Sequence, residues 1–259
     1  MKKLSARIFS ALVFVFLYAP IAIVIIFSFN SSRRNIVFEN FTFHWYKEMI
    51  NNDALLEAFS NTIIVASIST LLAVIIGALA AVAMFRYKFK GKGVIDALLY
   101  IPVVIPEVVL GISLLSIFAI SNLPLGRISL IIAHTTFSIP FVVFTVRARL
   151  SGYDRAIEEA AMDLGANRFQ VLTGITMPII MPGIISGAVL AFTLSIDDFI
   201  ISFFTTGVSS ITFPLKIMES LRSGIRPDVY ALSSIIMLVT FIIVIISQVS
   251  SYRSGKNKK

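Results

Sequence analysis

Four polar side chains interrupt stretches of the sequence that are otherwise apolar enough to cross a membrane. Glu107 follows Pro106 in one stretch. Ser195, Asp197 and Asp198 lie close together in another. A carboxylate at the centre of a span costs about 2.5–3.5 kcal/mol, and no span carries a central lysine or arginine to neutralise it. One interpretation places the acids near the outer headgroups or lets them share protons. We favour a polar cavity in which the carboxylates receive a cation and Ser195 forms a hydrogen bond.

Trp45, the only tryptophan, lies in an aromatic-rich segment between the first two apolar stretches. Tryptophan commonly anchors a membrane protein at the lipid–water interface. An indole ring also attracts an ammonium group through a cation–π contact worth about 0.5–2 kcal/mol. The sequence leaves both roles open.

A search for catalytic and metal-binding groups finds little. His44 and His134 form no His-x-x-x-His pair and have no adjacent glutamate, so both are predicted to be structural. The group Ser195, Asp197 and Asp198 has no histidine base near it in sequence, which disfavours a membrane-embedded enzyme. The chain has no phosphate-binding Gly-x-x-x-x-Gly-Lys-Ser/Thr loop and no cysteine. We therefore predict a non-enzymatic subunit with no metal or cofactor of its own. If ATP powers it, another polypeptide binds the ATP.

Composition identifies a membrane protein, because 57% of the residues are hydrophobic and 14% are charged, against about 25% charged in soluble domains. Pro102 and Pro106 in the third apolar stretch, and Asp197 and Asp198 in the fifth, predict kinks or water-lined cavities. The sequence thus predicts an all-α integral membrane protein with one domain over residues 1–253 and a basic tail at 254–259. Six stretches reach the roughly 20 residues that a span needs: Ile8–Phe29, Ile63–Phe85, Val94–Ile120, Ile128–Val146, Ile179–Phe204 and Ala231–Val249.

Two pairs of small residues predict close helix packing. Gly183 with Gly187, and Gly77 with Ala81, are each spaced four residues apart within a span. Such pairs let helix backbones approach one another, so we assign them to packing and not to chemistry.

The positive charges predict the orientation. With six spans and the N-terminus inside, fifteen of the 22 lysines and arginines fall in cytoplasmic segments. This bias follows the positive-inside rule and places both termini and the segment between the fourth and fifth spans in the cytoplasm. Basic residues spread over membrane-flanking loops give no nucleic-acid-binding face. No small-residue cleavage pattern follows the basic N-terminus, so the first span is predicted to stay uncleaved.

The polar segment Glu158–Pro182 has the pattern of a docking element. We predict a short helix over Glu158–Leu164, a turn at Gly165, and a second helix that stops at Pro178, where the next span begins. Ala160 and Ala161 would let the first helix seat closely against a partner protein. Glycine permits the backbone angles of a sharp turn.

Within this segment the sequence reads Glu159-Ala160-Ala161, three residues, Gly165, nine residues, Ile175, one residue, Met177, Pro178. This spacing resembles the EAA loop of the membrane subunits of ABC importers, with methionine where the family usually has leucine. Further runs are similar to the polyamine branch of that family: Phe27–Ser32, Trp45–Tyr46, Asn51–Asp53, Phe85–Lys92 and Phe192–Asp198.

The resemblance implies a six-helix type I ABC importer permease in a bacterial cytoplasmic membrane. It implies a second, homologous permease subunit, a dimeric ATPase that binds ATP and Mg, and an external polyamine-binding protein. On this resemblance, the ATPase-coupling residues are Glu159, Ala160, Ala161, Asp163, Gly165, Ile175 and Pro178. From the polar side chains described above, we predict as substrate-binding residues Trp45, Glu107, Ser195, Asp197 and Asp198.

Two alternatives remain at the level of sequence. An ABC importer for another cationic or small solute would share the same loop. An autonomous secondary transporter or channel would explain acids in a cavity, but it would not explain the segment that resembles the EAA loop.

Overall fold

The computed structural model describes residues 2–33, 37–224, 226–238 and 241. Within these residues strand-like pairing is limited to one bridge, between Asn30 and Phe41. The predicted all-helical fold is confirmed. The helices are α1 (Lys2–Phe27), α2 (His44–Ile50), α3 (Asp53–Arg86), α4 (Lys92–Val104), α5 (Glu107–Ile120), α6 (Arg127–Leu150), α7 (Ala156–Asp163), α8 (Arg168–Val171), a π segment (Leu172–Thr176), α9 (Met177–Asp197), α10 (Ile200–Thr205), α11 (Phe213–Ser223) and α12 (Pro227–Leu238).

The chain divides into two compact units, one formed by Met1–Leu56 with Lys216–Lys259 and the other by Glu57–Leu215. In the first unit, the 22-residue, predominantly apolar stretch Ala6–Phe27 of α1 exposes side chains on every face. A helix that is apolar all round and exposed to its surroundings suits contact with lipid. In the same unit, the Asn52 side chain donates a hydrogen bond to Asp228 at the start of α12 (2.6 Å).

Helix α6 forms the centre of the second unit, and α9 packs antiparallel against it. A Cβ atom at Gly187 would lie 2.6 Å from Thr145 Oγ1, and one at Gly183 would lie 3.1 Å from the Thr145 carbonyl oxygen. At Gly77 of α3, a Cβ would lie 2.8 Å from Val142 Cβ. These contacts confirm that the glycines of both small-residue pairs are packing positions, because a larger side chain would push the helices apart.

Among the described residues, four helices are long and apolar enough to cross a membrane, and the bent pair α4–α5 makes a fifth candidate if its two helices form one span. The two helices of that pair meet at an angle of 113°. Ile105 is extended (ψ 138°), as expected for a residue that precedes a proline. The predicted break in the third span therefore lies at Pro106, whereas Pro102 stays inside α4. The sixth predicted span, Ala231–Val249, lies mostly outside the described residues, as does the tail 254–259.

The bent pair joins opposite ends of α6. At its start, Asp96 pairs with Arg147, and the Tyr100 ring packs at a tilt against that of Phe144; both partners lie towards the C-terminal end of α6. At its other end, α5 leads through a short loop into the first turn of α6. This placement favours one interrupted span over a loop that returns to the same side.

The fifth predicted span, Ile179–Phe204, is broken in the structure. Helix α9 ends at Asp197, Asp198 is extended (ψ 124°), and α10 begins at Ile200. The interruption predicted at Asp197 and Asp198 is therefore present, and it leaves Asp198 outside both helices. The cause is local: the Asp198 carboxylate accepts hydrogen bonds from the backbone N–H groups of Ile201 (3.1 Å) and Ser202 (2.7 Å). It thereby satisfies donors that the first turn of α10 leaves free.

The polar segment between the fourth and fifth spans forms two helices, as predicted, but the second helix does not end at the predicted residue. Helix α7 is followed by Gly165 with a φ of 93°, which confirms the glycine turn. The second helix does not stop at Pro178. It runs from Arg168 through the π segment into α9, so that Arg168–Asp197 is one helical stretch. The wider hydrogen-bonding pattern of the π segment lies directly before Pro178, where it accommodates a residue without an N–H donor.

Candidate functional site

A buried polar cluster surrounds the break between α9 and α10. His134 of α6 is 1% exposed, and its Nδ1 atom lies 2.7 Å from Ser195 Oγ. Its Nε2 atom lies 3.0 Å from Ser202 Oγ and 3.4 Å from Asp198 Oδ2. Ser69 of α3 continues the network, with its hydroxyl 3.2 Å from that of Ser195. Four separate elements thus supply one connected set of hydrogen bonds, which we call the break cluster (Ser69, His134, Ser195, Asp198 and Ser202).

The imidazole of His134 contacts residues on both sides of the break in the fifth predicted span. Ser195 precedes the break, Ser202 follows it, and Asp198 lies within it. A carboxylate enclosed in this way requires hydrogen bonds and a compensating charge. Here the backbone of α10 supplies the hydrogen bonds, and His134 is positioned to supply the charge.

His134 is a functional candidate that sequence reasoning missed. The expectation that no histidine base lies near Ser195 was wrong for the folded chain. His134 contacts Ser195, although 61 residues separate the two in the sequence. The types Ser, His and Asp match a hydrolytic triad, but Ser195 is buried and Asp198 shares Nε2 with Ser202. A substrate carbonyl has no access to that hydroxyl, so the geometry favours a structural or ion-binding role.

The other two acids lie on the surface of the described structure. Asp197 is the exposed last residue of α9, and Glu107 is exposed in the first turn of α5. Each therefore stands at the break of one of the two interrupted spans. Only Asp198 of the three predicted acids joins Ser195 in the break cluster, and the role of Asp197 and Glu107 in substrate binding stays a prediction.

Trp45 is packed inside the first unit. Its side chain is 7% exposed, and its Nε1–H donates to the backbone oxygen of Asn30 (2.6 Å). The neighbouring Tyr46 hydroxyl lies 2.8 Å from Ser28 Oγ. Helix α2 is thereby attached to the chain that follows α1. The indole contributes to this local packing, and a contact between Trp45 and substrate stays a prediction.

A second buried charge pair lies at the base of the polar segment. Glu158 of α7 accepts hydrogen bonds from Arg86 Nη2 (2.7 Å), the last residue of α3, and from Thr176 Oγ1 (2.7 Å) in the π segment. Arg86 also donates to Thr176 Oγ1 (2.7 Å). We call these three residues the loop cluster. Burial would raise the pKa of the Glu158 carboxyl, but hydrogen bonds from Arg86 and Thr176 and the arginine charge outweigh it, so the pKa lies below its usual value.

From the sequence, Glu159 was assigned to ATPase coupling and its neighbour Glu158 was given no role. Glu159, Ala160, Asp163, Gly165 and Pro178 are exposed, while Ala161 and Ile175 are half-buried. Glu158 is the acid that the structure buries, because it lies on the inner face of α7. The same segment carries exposed apolar side chains, among them Leu164 directly after α7 (90% exposed) and Phe169 of α8 (72% exposed). Apolar groups exposed in this way on a polar segment are typical of a protein-binding surface.

The comparisons with known proteins agree with this architecture. Residues 73–254 match the model of a family described as binding-protein-dependent transport system inner membrane component. The chain belongs to this family. The resemblance drawn from the EAA-like loop is thereby confirmed, and the family places the protein among multi-pass inner membrane permeases.

Among its relatives, this permease is 43% identical over 240 residues to the spermidine/putrescine transport system permease protein PotC of Escherichia coli K12, covering 93% of this chain and 91% of that one. It is 38% identical over 231 residues to the putrescine transport system permease protein PotI of the same strain, covering 86% and 82%.

A solved structure of a bacterial ABC transporter that imports alginate superposes with a TM-score of 0.72 at 15% identity, covering 96% of each chain. A second, of the alginate transporter with a pentasaccharide-bound periplasmic protein, gives a TM-score of 0.69 at 18% identity, covering 94% of this chain and 91% of that one. At these identities the likeness establishes the permease fold alone.

Proposed function

We propose that this protein is the membrane permease subunit of an ATP-driven polyamine importer that moves spermidine or putrescine across a bacterial cytoplasmic membrane. The observation that carries the proposal is the similarity, over most of the chain, to both PotC and PotI. Acids at the breaks of two spans suit a substrate with several ammonium groups.

The proposed assembly contains this subunit, a second homologous permease, an ATPase dimer and an extracytoplasmic binding protein. ATP and Mg bind to the ATPase, and both termini of the permease lie in the cytoplasm. The exposed side of α7, with Glu159, Ala160 and Leu164, contacts the ATPase. Gly165 and Asp163 complete the turn of this coupling element.

The loop cluster provides the connection from the ATPase to the spans. Glu158 links α7 to Arg86 at the end of α3 and to Thr176 at the base of α9. A displacement of α7 is thereby passed to two helices at once. Alternating access requires such a link, because the ATPase has to favour one arrangement of the spans over the other.

For the substrate path, we propose that Glu107, Asp197 and Asp198 provide negative charge, with Ser195 as a hydrogen-bonding partner and Trp45 at the external side. Asp197 and Glu107 are exposed and therefore accessible to a cation in the described conformation. Asp198 is enclosed by the break cluster and becomes accessible only when that cluster opens.

Uptake of labelled spermidine and putrescine into proteoliposomes tests the function. The complete assembly is expected to accumulate a polyamine only with ATP and all four components present. ATP hydrolysis stimulated by the binding protein, without uptake of either polyamine, would transfer the proposal to another cationic or small solute. Uptake by this chain alone would indicate a secondary transporter instead.

A further inference from the structure

We propose that His134 is an internal competitor of the transported cation for Asp198, and so sets how substrate capture depends on pH. This inference rests on the proposed function and adds a positioning residue to it. The imidazole occupies the place at the carboxylate that an ammonium group of the substrate has to take.

The first step is geometric. The Asp198 side chain is 4% exposed, and its Oδ2 atom faces His134 Nε2 at 3.4 Å. The carboxylate also accepts hydrogen bonds from the backbone N–H groups of Ile201 and Ser202, and the Ser202 side chain lies against it. An ammonium group cannot displace the backbone of α10 without unwinding that helix. Displacing the imidazole requires only a side-chain movement, so His134 is the partner that has to give way.

The second step concerns charge. Among the described residues, His134 is the only basic side chain within ion-pair distance of Asp198. The elements packed around the imidazole contribute hydroxyl groups: Ser69 from α3, Ser195 from α9 and Ser202 from α10. The neighbouring acid, Asp197, is exposed at the end of α9. Protonation of His134 therefore pairs it with Asp198, and loss of that proton leaves the carboxylate to an incoming cation.

The third step is linkage. Two cations that compete for one carboxylate each weaken the binding of the other by the same factor. Histidines ordinarily change charge between pH 5 and 8, whereas alkyl ammonium groups stay charged until about pH 10. A lower pH therefore strengthens the competitor and leaves the substrate unchanged. For one competing proton, capture falls by up to about tenfold per pH unit.

The test uses the complete assembly in proteoliposomes with putrescine at a fixed, subsaturating concentration. Uptake and ATP hydrolysis are measured together from pH 5.5 to pH 8, because the putrescine taken up per ATP hydrolysed cancels the pH dependence of the ATPase itself. In the native protein this ratio is expected to fall severalfold or more as the pH is lowered. The His134→Gln variant keeps a hydrogen-bonding side chain without the titrating charge, and its ratio is expected to be constant.

His44→Gln is the matched control, because His44 is the other histidine of the chain and is exposed on α2. It is expected to keep the native pH slope. A native slope in His134→Gln, or a flat ratio in the native protein, would overturn the inference. If His134→Gln does not assemble, Asp198→Asn decides instead: a low and constant ratio supports the competition, and a native slope refutes it. Absence of uptake of both putrescine and spermidine by the native assembly at every pH would remove the proposed function and this inference together.

Discussion

The break cluster and the loop cluster are both buried, charge-bearing and built from several helices, yet they use different cations. The loop cluster pairs Glu158 with Arg86, whose guanidinium stays charged at any physiological pH. The break cluster pairs Asp198 with His134, which carries a charge only when it is protonated. We infer that the two clusters serve different purposes. The Arg86–Glu158 pair, which stays charged, suits a connection that transmits movement between helices. The His134–Asp198 pair, whose charge depends on protonation, suits a contact that has to open.

Removal of the Arg86 side chain should have the largest effect on the stability of the protein. Arg86→Ala leaves Glu158 buried without its partner, and breaking a buried pair in this way costs about 3–5 kcal/mol. We expect a large drop in the melting temperature of the detergent-solubilised protein and loss of ATPase binding. Arg168→Ala, at an exposed arginine of the same segment, serves as the control and should melt like the native protein. Equal melting of both variants would show that the loop cluster is not a stabilising link.

Substitutions of the two aspartates at the break should differ in their effects on stability and on transport. Asp198→Asn removes a buried, hydrogen-bonded charge, so we expect a loss of about 1–3 kcal/mol and a roughly tenfold lower rate of polyamine uptake. Asp197→Asn changes an exposed side chain and should lower uptake without changing the melting temperature. Both variants should still copurify with the ATPase. Native uptake by Asp198→Asn would remove this residue from the substrate path.

A substitution at the turn of the polar segment should have a smaller effect. Gly165 has a φ of 93°, and a β-branched residue in this region is strained by roughly 1–2 kcal/mol. We expect Gly165→Val to weaken copurification of the ATPase severalfold while uptake falls in proportion. The control is Gly93→Val, because an added side chain there also meets open space but without a positive φ. Equal ATPase recovery from the two variants would contradict the role assigned to the turn.

The pH dependence of the loop cluster should give the smallest effect. The folded pKa of Glu158 is lowered, so its contribution to stability is present above the unfolded pKa and is lost as the pH falls through the folded value. Glu158→Gln should therefore melt lower than the native protein between pH 5 and 8, with a difference that shrinks below about pH 4. Glu159→Gln, its exposed neighbour, should melt like the native protein throughout. A difference that is constant into acid would argue against an ionised Glu158.

Much of the fold could be predicted because hydropathy, proline and glycine act locally. The break at Pro106, the turn at Gly165 and the packing of Gly187 each depend on one residue and its immediate backbone. The helix that continues through Pro178 was missed for a related reason. Proline discourages a helix but does not end it when a π segment rearranges the hydrogen bonds before it.

The candidate site was predictable only in part. Asp198 was singled out because an acid in an apolar span is conspicuous, but its partner His134 lies on another helix. No spacing rule connects them, since their contact depends on how α6 packs against α9. Glu158 is buried and Glu159 is exposed because one face of α7 turns towards Arg86. The residues next to them in the sequence do not determine which face that is.

The continuity of Arg168–Asp197 has a mechanical consequence. Thirty helical residues make a rod about 45 Å long, which begins in the polar segment that we propose contacts the ATPase and ends at the break beside Asp198. A rod that pivots near one end magnifies small movements, and a tilt of about 5° over this length displaces its far end by roughly 4 Å. That displacement is comparable to the 3.4 Å that separates His134 from Asp198, so a slight tilt of the Arg168 end of the helix is enough to part them.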